Sequence, residues 1–211
     1  GHFETAPRGA DDAPDQYAFA LLSCNQPFKT DGRIEKRSIQ MLRAAYKIFE
    51  KHNVKIAYSV GDQMYSDMPY RLSLFDVRYF TSIAPKGRNR LLDCSEDEIR
   101  GIFQNRYRHF WNVPEWKKLH ADYPFYPILD DHDMVDNWGS DPDHQNPIWQ
   151  NFGRGAREAY YDYQASRIIP RLDRLPSSFR YESLYGDTAT FVMDLRSNRK
   201  AGSNGQLFDH A

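Results

Sequence analysis

The sequence predicts an α/β fold built on a parallel sheet, and three observations carry that prediction. Apolar runs at 17–24, 54–60 and 125–129 each stop abruptly in small polar or acidic residues, as buried parallel strands do. A segment of helical spacing, 34–54, lies between the first two runs with short joints on either side. That is the layout of a right-handed βαβ unit. Finally, all three runs deliver chemistry-bearing side chains at their carboxyl ends, in "SCNQ", "GDQMYSD" and "DDHD", where open α/β sheets bind their ligands.

Taken in order, residues 1–16 are rich in Pro, Gly, Asp and Ala and read as an irregular lead-in; Gly1-His2 is compatible with a tag remnant. "YAFALLSC" (17–24) is the first strand. In 34–54, Ile34, Ile39, Leu42, Ala45, Tyr46 and Phe49 approximate helical spacing, with Asn53 as the breaker. "VKIAYSVGDQ" (54–63) is a strand ending in Gly-Asp. Residues 66–94 lack a clean period and read as an excursion over the active edge, with a short helix near 70–80. Ser95 and Glu98 form a capping-box pattern that opens a helix, and Pro114 is expected to stop it. The strand at 125–129 leads into the acidic cluster. A helix is expected over 153–169, stopped by Pro170, and residues 178–199 read as two strands joined at Gly186-Asp187.

The 211 residues are enough for one sizeable domain or two small ones. A formal net charge of −1 gives no electrostatic case for nucleic acid or an anionic membrane. No apolar run approaches the roughly 18 residues of a membrane span, and no signal peptide is visible. Two cysteines, Cys24 and Cys94, do not make a disulfide framework.

If the three strands are neighbours, Cys24, Asp62, Tyr65, Asp131 and His132 converge on one edge. They supply thiolate, carboxylate, phenolate and imidazole, all competent metal ligands once deprotonated. Each has a plainer reading. Cys24 alone is more often a small buried hydrophobe, Asp62 equally a turn or cap residue, and Tyr65 a packing residue. Taken alone, Asp130 reads as a turn cap and Asp133 as a solvated charge; beside Asp131 both read as supporting or solvated carboxylates, while Cys94 reads as an ordinary loop cysteine. The same placement on three strands favours the functional reading. Crowded carboxylates at the end of a buried strand repel one another, and cations between them would make them compatible.

"LLSCNQ", "VGDQMYSD", "ILDDHDMVDNW" and "YGDTATFVMDLRSNR" occur in an order that resembles the PhoD-like metallophosphatases, the alkaline phosphatase D family of the calcineurin-like phosphoesterase superfamily. The resemblance runs from about Tyr17 to the C-terminus. It implies a metallophosphoesterase-type sandwich of two mixed sheets flanked by helices, and hydrolysis of a phosphate ester at a binuclear metal centre, iron together with calcium or another divalent cation. Asp62 matches the carboxylate that bridges the metals, Cys24 and Tyr65 match ligands of the iron-like ion, and Asp131 matches a ligand of the second. His132 matches the residue that meets substrate phosphate or the leaving group. For Asn137 and Arg196 the resemblance implies orienting or phosphate-edge roles, with a salt bridge to Asp194 or a neighbour as the plainer reading of Arg196. It also implies export to the periplasm or beyond.

The family's Gly-Asp-x-His segment has no counterpart after Asp187: Ala189 stands where a His would be needed, and "FDHA" at 208–211 comes too early. The expectation is therefore a partial domain over 17–211, holding the first half of the sandwich plus a hairpin. A degenerate relative acting as a binding module, and a calcium-binding structural module, stay open as alternatives. Specificity is expected from 66–94 and from the loop carrying Trp138 and Trp149.

Overall fold

The computed structural model describes residues 6–7, 9–170 and 174–201. The expectations for Gly1-His2 and for "FDHA" lie outside the described residues. Strand β1 (Ala18–Leu22) is followed by helix α1 (Lys36–Lys51), and β2 (Val54–Val60) comes next. Asn53 closes the joint between α1 and β2 in a left-handed conformation, φ 49°, which Asn tolerates. After the excursion, which contains α2 (Val77–Ile83), come α3 (Glu96–Trp111), α4 (Pro114–Asp122) and β3 (Phe125–Ile128). Helix α5 (Pro147–Tyr163) and the hairpin β4 (Tyr181–Tyr185) and β5 (Thr188–Val192) complete the described chain.

The three predicted strands are indeed neighbours, in the order β1-β2-β3 and all parallel, while β4 and β5 pair antiparallel about Gly186-Asp187. Parallel pairing puts the segments after β1, β2 and β3 on the same edge. Ser95 caps α3 in a complete capping box with Glu98. Two helix boundaries differ from expectation for local reasons. Helix α3 ends at Trp111, ahead of Pro114 as expected, but Pro114 itself starts α4, because proline at the first helical position loses no hydrogen bond. Helix α5 starts at Pro147, capped by the Asn146 side chain on the Trp149 amide (3.1 Å), and gives way after Tyr163 to a short 3-10 turn at Ala165–Arg167.

The core lies where α3 crosses α5, with Phe103 and Phe152 fully buried against each other. Trp138 is also core, packed on Gly153, Phe152 and His144, so it is unavailable for substrate. The hairpin is tied to the sheet by Tyr58, whose hydroxyl donates to Ser183 (3.2 Å). Outside these contacts a groove of about 480 Å³ opens between the sheet and the hairpin. Phe19, Leu21, Val60, Phe191 and Leu195 line it and are all exposed.

Candidate metal centre

Where β1 and β2 end, Cys24 and Asp62 both take the left-handed conformation, φ 58° and 55°. Non-glycine residues rarely occupy it, and sites with a function are where such strain accumulates. The twin turns interlock: the Cys24 amide donates to the Gly61 carbonyl (3.2 Å) and the Asn25 amide to that of Asp62 (2.8 Å). Gly61, at φ 102°, lies so close to Asp130 that a Cβ would collide with its side chain. The Gly-Asp step thus brings the segment after β2 directly against the acidic cluster after β3.

Asp62 is the hub. Its Oδ2 accepts from the Cys24 thiol (3.4 Å) and the Tyr65 hydroxyl (3.3 Å), while its Oδ1 is buried without a hydrogen-bond partner. Asp131 accepts the Asn137 amide at Oδ2 (2.8 Å), and the same oxygen lies 3.5 Å from the Arg196 guanidinium. Asn137, itself left-handed at φ 58°, meets the cluster through its backbone. The Arg196 side chain ion-pairs with Asp130 and donates to the Trp138 carbonyl, whereas it is the backbone amide of Arg196 that donates to Asp194. One oxygen each of Asp62 and Asp131 and a ring nitrogen of His132 lie within 4.8 Å of one another. Cys94 stays outside the site, buried, with its thiol toward the Arg90 carbonyl.

Two residues join the site that the motifs did not single out. Asp67 accepts from His132 Nδ1 (2.8 and 3.0 Å) and from the Asp136 amide (2.8 Å), so it orients the imidazole and turns Nε2 away, where its nearest carboxylate is Asp136 at 3.9 Å. Its position in the same loop as Asp62 and Tyr65 was the available signal. Asp133 is the supporting carboxylate and not the solvated one: it is fully buried. Its Oδ1 accepts from the amides of Gln63 (3.2 Å) and Met64 (3.3 Å) and from the Tyr107 hydroxyl (3.4 Å), and its Oδ2 from the Asp130 amide (3.1 Å). It pins the segment after β2 to the segment after β3.

The electrostatics call for a cation. Burial pushes the Asp62 carboxyl up; His132 opposes this, and Asp130 and Asp131 add to it. Burial works against a charged His132, yet the hydrogen bond and charge of Asp67, with Asp62 and Asp131, raise its pKa to about 9. Burial, with Asp62 beside it, also pushes the Tyr65 phenol up. A buried carboxylate oxygen with no partner, ringed by a thiol, a phenol and a second carboxylate, suits a metal ion, whose charge would reverse these shifts. The donor set accordingly fits a metal.

Residues 19–209 match the family model described as "PhoD-like phosphatase". The chain belongs to the PhoD-like phosphatase family. Among curated PhoD relatives, alkaline phosphatase D of Bacillus subtilis (strain 168) is 24% identical over 209 residues, covering 97% of this chain and 32% of that protein. The solved structure titled "Structure of PhoD" aligns with a TM-score of 0.55 at 20% identity, covering 92% of this chain and 34% of the other. That likeness shows the fold. The chain spans about a third of the length of these PhoD relatives.

Proposed function

We propose that the protein to which this chain belongs hydrolyses phosphate esters, mono- or diesters, at a metal centre built on Asp62. The observation that carries the reading is the buried, unpartnered Asp62 Oδ1 amid ligand-type atoms from three strand ends. Cys24, Asp62 and Tyr65 would hold an iron-like ion, and Asp62 and Asp131 a second ion such as calcium or another divalent cation. Bound there, such ions supply charge to polarise the phosphoryl group and acidify a water. The protein's own part is positional and protonic. Asp67 fixes the His132 ring so that Nε2 can meet the phosphate or deliver a proton to the leaving oxygen. Arg196, anchored on Asp130, presents a cation at the rim for a phosphate oxygen, and the Asn137 amide keeps Asp131 in register. The thiol at Cys24 weighs against a purely structural calcium site, since calcium takes oxygen ligands.

We further propose that more polypeptide completes the sandwich. The exposed apolar groove between sheet and hairpin and the threefold length of the relatives support this. Export, implied by the family resemblance, belongs to the same reading. The test is hydrolysis of a chromogenic phosphodiester with and without chelator. Turnover abolished by chelation and by Asp62→Ala supports the proposal, and turnover that survives both contradicts it. Metal binding without turnover in the full-length protein would favour a binding module.

A further inference from the structure

Arg106, on α3, is 3% exposed and lies outside every motif discussed above. Its Nε donates to the Tyr65 carbonyl (2.7 Å) and its Nη2 to the Met68 carbonyl (2.5 Å), with the guanidinium carbon 5.1 Å from the Phe110 ring centre. A buried guanidinium is costly to desolvate, and an apolar side chain of similar length would pack here without that cost. Burial lowers its pKa only to about 10, so it stays charged at neutral pH. What it does that no apolar residue can do is bridge two carbonyls of one loop.

Those carbonyls bracket the segment 65–68. Within it, the Tyr65 hydroxyl reaches Asp62 and the Asp67 carboxylate holds His132 Nδ1. Of the other tethers, Asp133 holds the amides of Gln63 and Met64 ahead of the segment, and Ser66, at its middle, is tied to the His132 and Met134 carbonyls. Between its two ends the segment displays two site residues on opposite sides of Ser66. The ends themselves are fixed from α3.

We propose that Arg106 is a positioning residue. By bridging the Tyr65 and Met68 carbonyls it sets the Tyr65 phenol against Asp62 and the Asp67 carboxylate against His132. The functional consequence rests on the metal-centre reading above, whereas the positional claim can be tested without it.

The experiment compares Arg106→Gln and Arg106→Lys in the full chain; lysine keeps the charge but cannot span both carbonyls. In the metal-free protein, amide hydrogen exchange at Ser66 and Leu74, whose amides bond to the His132 and Ser66 carbonyls, is expected to speed up at least tenfold. Ala57, in β2, should not change. Unchanged exchange at Ser66 and Leu74, or equal acceleration at Ala57, overturns the proposal. Titration with ferric ion is the second arm. Affinity is expected to fall at least tenfold, with loss of the phenolate charge-transfer band that Tyr65→Phe identifies. Unaltered affinity and band in a folded variant also overturn it. If Arg106→Gln does not fold, Arg106→Lys carries both readouts. A native chain that shows no such band removes the metal reading and leaves hydrogen exchange to decide the role of Arg106.

Discussion

The segment after β1 and the segments after β2 and β3 furnish one site under different restraint. Cys24 is exposed and reaches Asp62 through a single long thiol contact, its segment tied to the one after β2 by the Cys24 and Asn25 amides and the Asn25 side chain. Asp62, Tyr65 and Asp131 sit on loops locked from beneath by buried polar side chains, Asp133 on the amides and Arg106 on the carbonyls. The carboxylates and the phenol are thus held at fixed positions, while the thiol flanks Asp62 from the exposed side.

That contrast predicts a graded series of effects. Asp133→Ala should be the most damaging, because it strands buried amides of Gln63, Met64 and Asp130. At about 1–3 kcal/mol for a buried group left unpaired, a total loss on the order of 3 kcal/mol or more is expected, lowering Tm by roughly 10 °C. A loss under about 1 kcal/mol would break the comparison, since the loops would then be held by something else.

Next in size is a pH effect on the metal-free chain. The His132 pKa is about 9 when folded, against an ordinary 6.5. Its contribution is therefore complete below pH 6.5 and is lost as pH rises through 9. After allowance for solvent at this partly exposed site, about 2 kcal/mol should disappear over that window in denaturant titrations. Asp67→Asn should flatten the slope, and an unchanged slope in that variant would show that Asp67 does not hold the imidazolium.

Cys24→Ser should have the smallest effect on stability, within about 0.5 kcal/mol, as for other exposed positions. Its signature is instead metal preference. Affinity for transition metals should fall while calcium binding is unaffected, as competitive titration of the two ions would show. Destabilisation comparable to that of Asp133→Ala would mean that the segment after β1 is as rigid as the others.

The strands were legible because each reads as an unbroken apolar run, even though Phe19, Leu21 and Val60 stand exposed along the groove, and the polar residues that end each run stand out. Parallel order then followed from the intervening helix, and with it the meeting of Cys24, Asp62, Tyr65 and Asp131. Helix starts were less legible, since Pro114 and Pro147 serve as first helical residues and a linear reading takes proline as a stop. Asp133 and Arg106 were invisible for a different reason. Beyond the neighbouring Asp130 amide, the partners of Asp133 lie 26, 69 and 70 residues away, and those of Arg106 41 and 38, and no local pattern marks an ionisable side chain as buried. Asp133 looked like its neighbours in "DDHD" although it points the opposite way, into the core.

Equilibrium binding of ferric ion to the native chain, Asp62→Asn and Asp97→Asn, an exposed acid on α3 distant in role from the site, tests the metal centre most directly. Binding by the native chain, unchanged in Asp97→Asn and weakened at least tenfold in Asp62→Asn, about 1.4 kcal/mol or more, is the expected result. Equal affinity in all three proteins, or no binding by any, would contradict a metal centre built on Asp62.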